Sequence, residues 1–294
     1  MLLATYNGED FLPEFLMSLQ NQKGVEINLI VSDDGSHDKT IQILRAHKNN
    51  FRSFSMHAGP RQGPAENFFY LLTHAHSRFV AFADQDDIWL PDHLQKAHKR
   101  LSVESSVPSL TFSRTLDFNQ TNKVSRLWPI GIQRLSFQTI MTENLARGCT
   151  ICFNRAALLE LRKHSHNLAV MHDWWALLLI ALTGKISFGL EPEVIYRIHQ
   201  NNVVGIPKRH HLHSLKSMWE GSWRPYLQLS EIRNSLSNED VNENYQTLSK
   251  FLNSLQGSWF KRFRSITLSK TRFRTKLTDE LSFRLGVIFF QAKC

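Results

Sequence analysis

The chain has 294 residues, 42% hydrophobic and 21% charged, enough to bury a sizeable core and too balanced for a disordered, collagenous or disulfide-stapled protein. Three cysteines, an odd number, fit a reducing compartment, and no basic-then-apolar leader precedes Ala4, so a cytoplasmic location is expected. The net charge of +9 is uneven: residues 1–205 hold 20 Lys+Arg against 19 Asp+Glu (+1), and the remaining 15 against 7 (+8) fall in residues 206–294, the part that should seek an anionic partner.

Short strands and amphipathic helices alternate over the first hundred residues. A strand at 1–5 leads into a helix at 10–22, with Phe11, Phe15, Leu16 and Leu19 on helical spacing. Glu26 to Ser32 reads as a second strand ending in Asp33-Asp34-Gly35-Ser36, and 39–49 as a helix carrying Ile41 and Leu44. A strand near 53–57 precedes a Gly/Pro loop at 59–64 and a helix with Phe68, Leu71 and Leu72. Arg78 to Ala83 is a fourth strand, running into Asp84-Gln85-Asp86-Asp87. Pro91 opens a helix to Leu101. A strand at 109–114, a Trp128-Pro129 loop, a helix at 136–143, a strand at 149–153 and helices at 155–164 and 173–183 follow. The pattern predicts the α/β class: a mostly parallel sheet flanked by helices over 1–205, with a basic helical extension over 206–294. The longest apolar run, Trp174 to Leu182, is about half a membrane span.

In such a sheet ligands sit outside the carboxyl ends of the strands, where Thr5-Tyr6-Asn7-Gly8, Asp33-Asp34-Gly35-Ser36 and the Asp84–Asp87 run all fall. Asp84, Asp86 and Asp87 crowd carboxylates that repel one another unless a cation joins them, and hard oxygen donors suit Mg²⁺ or Mn²⁺ beside a diphosphate. A solvated turn is the plain alternative. Asp33 or Asp34 suits the N3–H of a uracil or thymine ring, while turn chemistry and helix capping by Ser36 or Asp38 explain the same residues. Arg61 and Gly63 belong to a loop that either approaches phosphates or simply connects. Asp173 precedes an apolar helix, as an N-cap, a general base, or both. His199 is a structural histidine or a ligand. Cys149 and Cys152 form a lone C-x-x-C in an apolar run that reads as buried strand, since two thiols do not fill a zinc site. Dinucleotide, P-loop, hydrolase and zincin motifs are absent from the sequence.

Ala4-Thr5-Tyr6-Asn7-Gly8-Glu9, Asp33 to Ser36, Ala83 to Trp89, Arg147-Gly148-Cys149-Thr150, His172-Asp173-Trp174-Trp175 and Tyr196 to Gly205 occur in that order. Together they resemble glycosyltransferase family 2, especially its bacterial rhamnosyltransferase-like branch, over about residues 2–205. The resemblance implies a GT-A fold, a divalent cation (Mn²⁺ or Mg²⁺) and inverting hexosyl transfer. The donor would be dTDP-rhamnose or a UDP-sugar, and the acceptor a glycan or lipid-linked saccharide in bacterial surface polysaccharide assembly. It places Thr5, Tyr6, Asn7, Glu9, Asp33, Asp34, Arg61, Gly63, Asp84 and Gln85 on the nucleotide-sugar side, and Asp86 with Asp84 and His199 on the metal. Asp173 matches the catalytic base, and Arg147, Gly148, Cys149, His172 and Trp174 would lie toward the sugar or acceptor. The first strand is shorter than the family usually has.

The tail matches no motif of that family. Its Trp259-Phe260-Lys261-Arg262-Phe263-Arg264 and Lys270 to Lys276 segments interleave aromatic and basic residues, which suits an anionic membrane surface better than nucleic acid. A solvated basic face is the bland alternative. Peripheral attachment to the cytoplasmic face of an inner membrane is therefore expected. The rival from another class is a catalytically silent basic module that binds nucleic acid or membrane. A sugar nucleotidylyltransferase would need a Gly-rich phosphate loop that residues 1–15 lack.

Overall fold

The computed structural model describes residues 1–102, 106–119, 125–132, 135–199, 202, 224–237, 242–267, 269 and 272–289. Its first half is the expected alternation: β1 (Leu2–Thr5), α1 (Leu12–Gln20), β2 (Asn28–Asp33), α2 (Thr40–His47), β3 (Ser53–Ala58), α3 (Pro64–His74) and β4 (Phe79–Asp84). These four strands lie in the order β3-β2-β1-β4, all parallel. The order reverses at β1, so β2 and β4 flank it and the loops after all three strands open on one crevice.

Next come β5 (Ile88–Trp89), α4 (His93–Leu101), β6 (Ser109–Asn119), β7 (Ser125–Trp128), α5 (Phe137–Thr142), β8 (Cys152–Asn154), α6 (Arg155–Lys163), α7 (His172–Thr183) and β9 (Lys185–Ile198). The sheet continues β4-β8-β6-β9-β5, with β7 on β6. β8 is antiparallel to β4 and β6, and β9 is parallel to β6 but antiparallel to β5, so this half is mixed. Helices cover both faces. Phe15, Leu16 and Leu44 pack on one side; Phe68, Leu71 and nearly all of α7 pack on the other. A helix apolar all round, like α7, has to be buried all round, and it is.

Three expectations are corrected. The segment at 185–198 is the longest described strand, although it was not expected as one. Cys149 lies in a 3-10 turn (Gly148–Thr150), and the strand starts only at Cys152; both thiols are free and buried. α7 begins at His172 with Met171 at the N-cap position, so Asp173 is not the cap.

The tail contributes α8 (Arg224–Ser235), α9 (Glu243–Leu255), α10 (Trp259–Thr267) and α11 (Leu277–Phe289). The expected boundary at 205/206 lies outside the described residues. The described tail helices share the core beneath α5 and α7 through Leu229, Ile232, Leu248, Phe251 and Phe283. No described helix is long and apolar enough to cross a membrane.

Candidate active site

The crevice at the switch point is a cleft of about 730 Å³. Its wall includes Thr5, Tyr6, Asn7, Asp34, Arg61, Gly63, Asp84, Gln85, Asp86 and His199, ten residues singled out from the sequence. Phe11, His37 and Asn67 join them unforeseen.

The loop after β1 is shaped by borrowed hydrogen bonds. Tyr6 N–H donates to Gln85 Oε1 (3.0 Å), and Gln85 Nε2 donates back to Tyr6 O (2.8 Å), so the Gln85 side chain pairs with this backbone as a strand would. Gly8 leaves room for that amide, which a Cβ there would displace from its two bonds to Tyr6. Asn7 adopts φ +46°, and its Oδ1 accepts from His37 N–H (2.9 Å). Glu9 does not line the cleft; its Oε2 accepts from Lys39 N–H (3.0 Å), tying the loop to the start of α2.

The two aspartates after β2 divide their work. Asp33 is buried and accepts from Thr5 Oγ1 (2.8 Å), Gly35 N–H (3.1 Å), Ser36 N–H (2.8 Å) and Ser36 Oγ (2.6 Å). This is turn chemistry, and no lone-pair direction is left toward the cleft. Asp34 faces the cleft and holds the 59–64 loop in place by accepting from Arg61 N–H (2.8 Å) and Gly63 N–H (3.0 Å).

The acidic run likewise splits. Asp84 and Asp86 reach the cleft, whereas Asp87 is fully buried and accepts from Arg197 N–H (3.2 Å). Arg197 also donates to Asp86 O (2.5 Å) and pairs with Glu14, clamping the loop from below. His199 Nε2 lies 2.9 Å from Asp86 Oδ2, and its ring stacks on Phe11 with centroids 4.5 Å apart. Burial, then Asp86 and Asp173, push the Asp84 carboxyl up to about 8. Burial, then Asp86 and Asp84, push Asp87 well above the carboxylate range.

Asp84, Asp87 and the Cys149 thiol place ligand atoms within 4.8 Å of one another. Burial beside these carboxylates raises the Cys149 thiol, and a protonated thiol is a poor ligand for a hard cation. The crowded carboxylates and adjoining imidazole on the cleft side (Asp84, Asp86, His199) therefore fit Mg²⁺ or Mn²⁺ better than the inner set does.

Asp173, buried near Asp84, accepts from Asn144 Nδ2 (3.0 Å), Trp174 N–H (2.6 Å) and Gly148 N–H (3.2 Å). Burial nevertheless raises it to about 6. His172 is buried against Phe68, centroids 3.9 Å apart; neither ring nitrogen has a hydrogen-bond partner among the described residues, and burial lowers it to about 3. A Cβ on Gly148 would come 2.8 Å from His172 Nε2, so that glycine permits the close approach.

Two residues expected on the sugar or acceptor side are committed elsewhere. Arg147 pairs with Asp117, donates to Thr115 Oγ1 (2.7 Å), and lies between the Trp128 and Tyr196 rings at 4.2 and 3.8 Å. Trp174 is buried, with Nε1–H on Ile140 O (2.8 Å). Both hold the scaffold.

Residues 1–162 match the family described as Glycosyl transferase family 2. The chain is 27% identical over 309 aligned positions to the dTDP-rhamnosyl transferase RfbG of Shigella flexneri, covering 97% of this chain and 99% of that one. It is 28% identical to the UDP-Glc:alpha-D-GlcNAc-diphosphoundecaprenol beta-1,3-glucosyltransferase WfgD of Escherichia coli, over 54% of this chain and 60% of that one. Its fold superimposes on the crystal structure of S. aureus TarS 1–349 in complex with UDP with a TM-score of 0.61 at 17% identity, covering 98% and 78% of the two chains.

Proposed function

The chain belongs to glycosyl transferase family 2 and has its GT-A fold, and from that premise we propose a metal-dependent, inverting transferase of bacterial surface polysaccharide assembly. The donor is a nucleoside-diphosphate sugar. The end-to-end likeness to RfbG favours dTDP-rhamnose, and the fold shared with UDP-bound TarS keeps a UDP-sugar as the second reading. The acceptor is a glycan or a lipid-linked saccharide, the latter being what WfgD's name gives for that relative; the chain would act at the cytoplasmic face of the inner membrane.

The observation that carries this reading is the convergence of three strand ends on one cleft, with Asp84, Asp86 and His199 together and Asp173 buried beside Asp84. Thr5, Tyr6, Asn7, Asp34, Arg61, Gly63 and Gln85 form the wall for the nucleotide. Asp86, with Asp84 and His199, would hold the cation, whose charge would offset that of a departing diphosphate. Asp173 takes the proton of the acceptor hydroxyl as its oxygen attacks the anomeric carbon, and the bond to the diphosphate oxygen breaks on the opposite face. A base at about 6 suits that task near neutral pH.

The test is a donor panel scored for nucleotide release with Mn²⁺, Mg²⁺ or chelator. One donor should be consumed with cation and none in chelator, and Asp86→Ala should cost at least about a hundredfold in kcat. Full activity of Asp86→Ala in chelator removes the cation site; silence across the whole panel removes the transferase reading.

A further inference from the structure

The last two helices expose large apolar side chains, and the first of them buries an arginine. On α10 the buried residues are Arg262 and Ile266, and Arg262 donates to Gly257 O (3.0 Å) and Ile288 O (3.3 Å), joining α10 to the end of α11. Trp259, Phe260 and Phe263 are 50%, 63% and 40% exposed, and the rings of Trp259 and Phe263 stack 5.4 Å apart. On α11, Phe283 and Val287 are buried while Leu277, Leu281 and Leu285 lie exposed, one turn apart. Exposed hydrophobic residues are ordinary when scattered singly, but six on adjoining helices are not. Lys261, Arg264, Arg272 and Lys276 are exposed around them, and Asp279 is the one exposed carboxylate among the described residues from 259 on.

We infer that α10 and α11 form a docking face for an anionic bilayer, with Trp259, Phe260, Phe263 and the three leucines at the acyl boundary and the four cations on lipid phosphates. The choice of occupant rests partly on the lipid-linked acceptor proposed above. Charge complementarity carries the rest: a second copy on this face would set Lys261 and Arg264 against their own like charges, and a nucleic acid would leave a leucine stripe in water. At 9 and 13 residues the helices are too short to span a membrane, which fits lying in its surface.

The test is flotation of the full chain with vesicles of phosphatidylcholine alone or mixed with phosphatidylglycerol. It should float with the anionic vesicles only, and less as salt rises. Trp259→Ser/Phe260→Ser/Phe263→Ser and Leu277→Ser/Leu281→Ser/Leu285→Ser should each lower partitioning about tenfold or more. Lys261→Glu/Arg264→Glu should abolish the preference for phosphatidylglycerol. These side chains are exposed, so circular dichroism and UDP or dTDP binding should stay unchanged. Absent flotation at low salt, or equal flotation of both serine variants, overturns the proposal. So does a dimer, seen by light scattering, that the aromatic variant dissociates, or RNA binding that the same variant abolishes. If no donor turns over yet flotation and its loss in the variants persist, the transferase reading fails and the docking face stands.

Discussion

Asp173 is pulled both ways: three N–H donors favour its carboxylate, and burial disfavours it strongly enough to leave it at about 6. As the base it must be ionised, so kcat/KM should fall about tenfold per pH unit below about 6. Asp173→Asn should lower turnover by about 10²–10⁴ and erase that acid limb, which a pH profile of both enzymes would show. Stability runs the opposite way. A carboxyl raised in the folded state contributes stability that is present below the ordinary carboxylate range and lost as pH rises, here through about 6 for Asp173 and about 8 for Asp84. Near pH 8 the site therefore weakens the fold it occupies. Asp84→Asn should raise stability there by about 1–3 kcal/mol while lowering turnover, read from thermal melts beside activity; a lower melting temperature at that pH would contradict the assigned direction.

At the scale of elements, β9 is fastened to α4 by Glu193, which is buried and receives His93 Nδ1 at 3.0 Å and both Arg100 amino groups at 2.6 and 2.8 Å. Burial opposes its charge, yet these bonds hold it down to about 2. Its contribution is thus complete above the unfolded carboxylate range and fades as pH falls toward about 2. Glu193→Gln leaves the partly buried Arg100 guanidinium without its carboxylate and should cost about 1–3 kcal/mol in urea unfolding at neutral pH, with little change at pH 2. None of this was legible in the sequence. Pro192 and Gly189 break the strand pattern of 185–198, and the register with β6 shifts at Arg114, opposite Pro192. β5, two residues long, is set by tertiary pairing alone. The parallel half was readable because each strand there ends in its own turn residues, and the cleft residues with it. Asn67, by contrast, sits inside α3 with no motif around it; it reaches the cleft because its Nδ2 donates to Ser32 O (3.0 Å), a contact 35 residues away in the chain. Asp33 and Arg147 were visible as polar residues in the right places, but that their hydrogen bonds close within the protein appears only in three dimensions.

At the scale of the whole molecule, the charge asymmetry suggested a separable basic tail, and the packing gives it a structural duty as well. Thr275 N–H and Oγ1 both donate to Glu143 (2.9 Å each), Asn244 Nδ2 donates to Ala181 O (2.8 Å), and Val170 N–H reaches Gln228 Oε1 (2.7 Å), so α8, α9 and the segment before α11 are bonded to α5, α7 and the loop leading to it. Leu229, Ile232, Leu248, Phe251, Leu252 and Leu255 lie in the core those elements share. Each such side chain is worth about 1.5–3 kcal/mol when buried, and a domain has only about 5–15 kcal/mol in hand. A chain cut at residue 205 should therefore aggregate or expose α7 rather than fold, even though it keeps every residue of the cleft. Soluble yield, circular dichroism and UDP binding of that fragment measure this. A cooperative melt with intact nucleotide binding would mean that the tail only covers the core; its loss would mean that the tail which presents the basic, aromatic face at its end also holds Asp173 in place, through α8 and α9 against α7.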